Sequence, residues 1–363
     1  MTVADLTMHP FQRFDLERNP FWQGVEFRND DNSFFEEQTR HLETAFHRAV
    51  ERNSLRTFIG EYTKVSAQML GRATDRSVLF PLLGHSLVYL IHYFYFLRLR
   101  TRPFLCERNS VYSWMMDPDL IARAREAAAV MERENIETQD YNLNDDRALK
   151  AWLVKNIQPI LQDYVGFTVG WPWAHIRYAD ATRHGKAWAF RYKQHPYGNF
   201  HFDQVCYSLP VIIYLDEVDE GCGPFTYVDG ADKMPQNPVL RAYHQALYHD
   251  CKICCYEDAH LRGIGKLPSV FRGGDLIGSY TGPKPFESHR VVELTGSTGH
   301  TVLFEGFQLL HSGGHPKTGS RKALFVAFRF PRKKFGDFVA RAVAMIWRRR
   351  VARALARISV AHD

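Results

Sequence analysis

A chain of 363 residues with 45% apolar and 24% charged residues has a globular composition and is not a disordered polymer. It is long enough for one large domain or two modest ones. The formal charge of +6 is mild. It suits an acidic small molecule or an anionic surface, and no nucleic-acid partner is expected.

Six cysteines, three of them crowded at Cys251, Cys254 and Cys255, do not read as a disulfide framework. With His249 and His260 they suggest zinc, but no second pair at ligand spacing completes a site, so reduced structural thiols are expected. The opening Met-Thr-Val-Ala-Asp-Leu-Thr lacks a basic region followed by an apolar run. No secretory signal is therefore read, and a cytoplasmic location is expected, with a peripheral position at a membrane surface held open.

In chain order, residues 34–53 carry Phe35, Leu42, Phe46 and Val50 at helical spacing among charged positions. Two further helices are predicted over 55–71 and 77–100. The second contains 21 residues without a formal charge, Ser77 to Leu97, a length that could cross a bilayer. Pro81, Gly84, His85, Ser86 and His92 lower its hydrophobicity, and basic residues at both ends give no orientation. A buried or membrane-apposed helix is expected in preference to a span. His85 and His92, seven apart on one helix face, are read as packed residues. Asp117-Pro118 predicts an N-cap and first helical residue, opening a helix to about residue 137. Another spans about 145–164, with Trp152, Ile157 and Leu161 on its apolar side.

After Gly166 the pattern becomes short Val, Ile, Tyr and Phe runs divided by Gly, Pro and Asp. Val205–Leu215, Pro224–Val228, Asp275–Tyr280, Val291–Leu294, Thr301–Phe304 and Ala323–Phe330 are examples. Such spacing predicts a β-sandwich or barrel. The tail, 334–358, returns to helix. Phe335, Phe338, Ala342, Ile346, Val351, Leu355 and Ile358 form a stripe among Arg341, Arg348, Arg349, Arg350, Arg353 and Arg357. Two readings stand for this basic amphipathic helix: it lies on an anionic membrane surface, or it docks on the protein with its arginines solvated. The organisation expected is α+β. A mainly helical N-terminal region, 1–165, packs on a β core, 166–333, followed by a C-terminal amphipathic helix, 334–363.

The chemistry-bearing stretch is Asn199-Phe200-His201-Phe202-Asp203-Gln204. On a strand, residues two apart share a face, so His201 and Asp203 project together toward one ion. They supply two-thirds of a two-histidine, one-carboxylate Fe(II) site. His41-Leu42-Glu43 has the same spacing but sits in a predicted helix, where two residues turn the side chains about 200° apart. Downstream, His311 closes one apolar segment and Arg321 opens the next strand across a Gly-rich loop. Arg321 is thus placed to take the far end of a dicarboxylate in a two-pronged pair. His315 lies close to His311 and competes for its role, but it follows two glycines and is read as a loop residue. Lys186, Arg191 and Lys193 are read as solvated strand charges.

From about 195 to 330 the chain resembles the phytanoyl-CoA dioxygenase-like family of Fe(II)/2-oxoglutarate oxygenases. The resemblance runs through His201-Phe202-Asp203, Leu215-Asp216-Glu217 to Gly223-Pro224-Phe225, Tyr227-Val228-Asp229-Gly230-Ala231-Asp232-Lys233, His311 and Arg321. It departs at Asp229-Gly230-Ala231-Asp232, where the family usually has Pro-Gly-Ser-His, and in the long helical first half. What the resemblance implies is a distorted double-stranded β-helix, a cupin-like jelly-roll. His201, Asp203 and His311 would be the catalytic iron ligands, and Arg321 would hold the distal carboxylate of 2-oxoglutarate. Fe(II) is the implied cofactor, with 2-oxoglutarate and O2 as co-substrates and succinate and CO2 as products. Asp203 favours hydroxylation, because related halogenases carry a small residue in that place. The substrate expected is a small molecule or a lipid-linked one, with peripheral membrane contact through 334–358 and 77–97 as a further expectation. Two other readings stand beside it. One is a non-catalytic metal-binding β-sandwich module at a membrane surface; the other is a zinc hydrolase, in which Arg321 would have no purpose.

Overall fold

The structure is a computed structural model describing residues 33–99, 111–165, 170, 172–181, 209–229, 237–246, 267–272, 291–306, 309, 311–314, 316–328 and 332–360. In chain order the elements are helices α1 (Ser33–Glu51), α2 (Leu55–Arg72) and α3 (Arg76–Leu99), then strand β1 (Val111–Met115). Helix α4 (Ala122–Glu134), β2 (Thr138–Tyr141), α5 (Arg147–Asn156), α6 (Gln158–Val165) and β3 (Pro172–Asp180) follow. Next come β4 (Pro210–Tyr214), β5 (Phe225–Val228), α7 (Pro238–Gln245) and the short α8 (Ser269–Arg272). The last are β6 (Val291–Leu294), β7 (His300–Phe304), β8 (His311–Ser312), β9 (Ser320–Phe328) and α9 (Arg332–Val360). The strand predicted over Asp275–Tyr280 and the first residues of Val205–Leu215 lie outside the described residues.

Contacts divide the chain into two units, one of Met1–Phe11, Leu99–Met234 and Pro285–Lys333, the other of Gln12–Arg98, Pro235–Lys284 and Lys334–Asp363. These boundaries differ from 165 and 333. Strands β1 and β2, from the region read as mainly helical, form the two edges of a sheet whose other strands come from β3, β4, β7 and β9. Short edge strands such as Thr138–Tyr141 carry little apolar periodicity, so the helical spacing on either side dominates the sequence pattern of this region.

In the first unit, two antiparallel sheets carry the fold. Six strands run in the order β1-β7-β4-β9-β3-β2 and three in the order β6-β5-β8. β9 lies at the centre of the large sheet, paired with β3 from Pro172↔Phe328 to Asp180↔Ser320 and with β4 from Pro210↔Ala327 to Tyr214↔Ala323. Because side chains alternate along a strand, one sheet face presents Ile212, Tyr214, Val302, Phe304 and Ala323. These pack with Val218, Phe225, Leu294 and Leu309, which lie in or around the small sheet, into one buried cluster. Trp114 projects from the other face and stacks on Trp152 of α5, with ring centroids 6.5 Å apart. α4 packs against β2, β3 and β9.

Local chemistry sets the helix ends. Asp117 accepts a hydrogen bond from the Asp119 N–H ahead of Pro118, starting a 3-10 turn that runs into α4. Asn135, with φ 63°, ends it in the left-handed conformation. The single helix predicted over 145–164 is two helices. Asp146 caps α5 by accepting from the Leu149 N–H, and Pro159, having no N–H to donate, restarts the chain as α6.

In the second unit, α3 is the interior helix. Leu79, Leu82, Leu83, Leu87, Leu90 and Ile91 are fully buried, and His92 is buried with them. The helix is long and apolar enough to cross a membrane by length and composition, and 67% of that window is buried within the fold. Tyr62 of α2 donates to the Leu83 carbonyl at 2.8 Å. Trp347 of α9 stacks on Phe80 at 5.3 Å beside Gly84, where a side chain would meet the indole. The buried stripe of α9 is Ala340, Ala344, Trp347 and Val351. It is rotated from the predicted stripe through Ala342 and Ile346, because burying an indole removes more apolar area from water than burying an isoleucine.

Candidate active site

Arg321 and Lys322 are consecutive on β9 and so face opposite sides of the large sheet. Lys322 meets Glu132 of α4 and Asp216, the latter at 2.8 Å. Burial works against its charge, but the hydrogen bonds it donates to the two carboxylates outweigh this and hold its pKa above the ordinary lysine value. Arg321 points to the inter-sheet side and is buried. Its Nη1 donates to the Gly223 carbonyl. Among the described residues no carboxylate pairs with it, and burial pulls its pKa down to about 10. A desolvated guanidinium without a counter-ion is a costly arrangement that an anionic ligand relieves.

His311 lies in β8, where Tyr227 of β5 is its register partner. It is buried, with its ring against Phe304 at 4.6 Å and Phe225 at 5.7 Å between centroids. Its Nδ1 sits 2.9 Å from the Leu309 carbonyl. A carbonyl oxygen only accepts, so Nδ1 carries the proton and Nε2 carries the lone pair. That is the tautomer a metal-ligating histidine needs.

The segment between these residues is tied to the start of β5. The Gly221 carbonyl accepts N–H bonds from Lys317, Thr318 and Gly319, and Asp219 accepts from the Gly221 and Cys222 N–H groups. Gly314 has φ +58°, and a Cβ there would collide with the Gly223 and Pro224 carbonyls. A Cβ on Gly313 would sit 3.4 Å from Arg321 Nη2. His311 and Arg321 thus both meet the short stretch Gly223–Phe225, the first through the Phe225 ring and the second through the Gly223 carbonyl.

Tyr214 is a positioning residue that sequence reading missed. Its hydroxyl donates to the Leu294 carbonyl and accepts the Phe225 N–H, both at 2.8 Å. It thereby pins the strand whose Phe225 ring supports His311. Burial pushes its pKa up to about 12. Its only sequence signal was a tyrosine closing an apolar strand. On the face that carries Arg321, His175 of β3 stacks on Phe325 at 5.3 Å. Arg177 donates to His175 Nε2 at 2.9 Å and lies over Phe325.

His201 and Asp203 lie outside the described residues, as do His315, Lys186, Arg191, Lys193 and the Cys251–Cys255 cluster. Among the described residues no three His, Cys, Asp or Glu side chains gather as a metal site.

No protein-family model matches the chain, and no curated protein matches it. Solved structures overlap it loosely. EctD from S. alaskensis in its apoform is 12% identical with a TM-score of 0.35, covering 61% of this chain and 74% of its own. HygX from Streptomyces hygroscopicus with nickel and 2-oxoglutarate bound is 14% identical with a TM-score of 0.36, covering 63% and 85%. AviO1 from Streptomyces viridochromogenes Tue57 is 16% identical with a TM-score of 0.34, covering 61% and 90%. Overlaps this loose carry neither fold nor activity across to the present chain.

Proposed function

We propose that this chain is an Fe(II)- and 2-oxoglutarate-dependent dioxygenase that hydroxylates an unactivated C–H bond of a small-molecule or lipid-linked substrate in the cytoplasm. Its core, 166–333 with the edge strands β1 and β2, would close as a double-stranded β-helix. The observation that carries this reading is the buried Arg321, lacking a carboxylate partner among the described residues while Lys322 beside it has two. Such a site suits a dicarboxylate, whose far end a guanidinium grips with paired hydrogen bonds.

His311 supports the same reading, since its Leu309 hydrogen bond leaves Nε2 as an electron-pair donor. His201 and Asp203, two apart in His-Phe-Asp, would complete the ligand set. Iron held by that set would supply activation of O2, one oxygen atom of which would go to succinate as 2-oxoglutarate loses CO2 and the other to the substrate. The protein's own part is to orient and to exclude water. Arg321 fixes the co-substrate's far carboxylate, Phe225 and Phe304 wall the imidazole, and Tyr214 holds Phe225 in place.

Anaerobic addition of Fe(II) and 2-oxoglutarate should give a weak visible charge-transfer band in the native chain. The band should be lost in Asp203→Ala and His311→Ala variants that retain native circular dichroism. A native chain with no band, and no succinate release in air, refutes the proposal.

A further inference from the structure

Among the described residues, nothing covers the outer face of α9. With Ala340, Ala344, Trp347 and Val351 turned inward, Met345 and Ile346 are left 54% and 50% exposed. They are two of five exposed large apolar side chains among the described residues, and they are adjacent. Arg341, Arg348, Arg349, Arg350 and Arg353 are exposed around them. None of the five pairs with a carboxylate among the described residues. From Arg332 to Val360 there are nine basic residues against the single acid Asp337, so this one helix holds more than the chain's whole +6 and the remainder is slightly acidic.

We propose that this face docks the protein on an anionic phospholipid membrane. Unpaired arginines facing solvent suit a charged surface, and the exposed Met345–Ile346 pair adds what charge alone does not need: apolar groups that enter the headgroup boundary. An acidic protein or RNA would make use of the arginines and leave that pair in water. Docking would use α9 and not α3, whose apolar window is mostly buried. The proposal does not depend on the iron site.

The test is co-sedimentation of the full chain with vesicles of phosphatidylcholine alone and with vesicles containing phosphatidylserine. Binding should require phosphatidylserine and weaken as salt is raised. Each arginine near an anionic surface strengthens binding roughly fivefold, so Arg349→Gln, Arg350→Gln and Arg353→Gln together should cost about a hundredfold. Met345→Ser with Ile346→Ser should weaken binding at unchanged charge, and neither set touches the buried stripe. Equal binding to both vesicles, an unaffected triple variant, or tighter binding to single-stranded RNA than to the acidic vesicles would overturn the proposal.

Discussion

Replacing Arg321 by methionine should separate stability from ligand binding. Burial lowers the guanidinium pKa from its ordinary value to about 10, a cost of about 3 kcal/mol for carrying the charge in the folded, ligand-free protein. Methionine removes that cost and fills similar volume. It also leaves the Gly223 carbonyl without its donor, a loss of about 1 kcal/mol. The ligand-free variant should therefore be as stable as the native chain or more stable, by up to about 2 kcal/mol, as happens when buried charges are replaced by apolar groups. With Mn(II) standing in for iron and 2-oxoglutarate at about a hundred times its Kd, the native chain should gain about 3 kcal/mol. The variant should gain nothing from 2-oxoglutarate beyond what Mn(II) alone gives. Urea denaturation of both proteins, with and without ligand, measures all four values. A ligand-free variant destabilised by several kcal/mol would make Arg321 a structural cation, and a variant still stabilised by 2-oxoglutarate would remove it from the site.

Tyr214→Phe strips one hydroxyl that serves both the Leu294 carbonyl and the Phe225 N–H, so urea denaturation should show a loss of about 3 kcal/mol. Gly314→Ala should weaken 2-oxoglutarate binding in calorimetry, because its Cβ displaces Gly223, the acceptor for Arg321. Gly313→Ala, whose Cβ would make ordinary contact at 3.4 Å, should bind nearly as the native chain does. His175 is held neutral by burial and by Arg177, its pKa lowered from 6.5 to about 4. The unfolded chain takes up that proton first, so the contribution is full above pH 6.5 and lost as pH falls toward 4. Allowing for partial exposure it amounts to about 1–2 kcal/mol, and His175→Phe should flatten the pH dependence of stability in that window.

Elements with strong local signals were legible in the sequence. The Asp117-Pro118 start and the strands predicted at Val291–Leu294, Thr301–Phe304 and Ala323–Phe330, the last described as far as Phe328, follow from neighbouring residues. What stayed hidden depends on partners distant in sequence. Thr138–Tyr141 becomes a strand because β3 lies beside it, Tyr214 matters because Leu294 and Phe225 reach it, and Trp347 decides which side of α9 faces inward because Phe80 and Gly84 meet it. The contrast between Arg321 and Lys322 was equally invisible, since alternation separates them but only the fold supplies Glu132 and Asp216 to one of them.

Anomalous diffraction at the iron edge, from crystals grown anaerobically with Fe(II) and 2-oxoglutarate, locates the metal directly. The expected peak lies among His201, Asp203 and Nε2 of His311, with the far carboxylate of 2-oxoglutarate on Arg321. A peak at Cys251, Cys254 and Cys255, or one remote from His311, would contradict it.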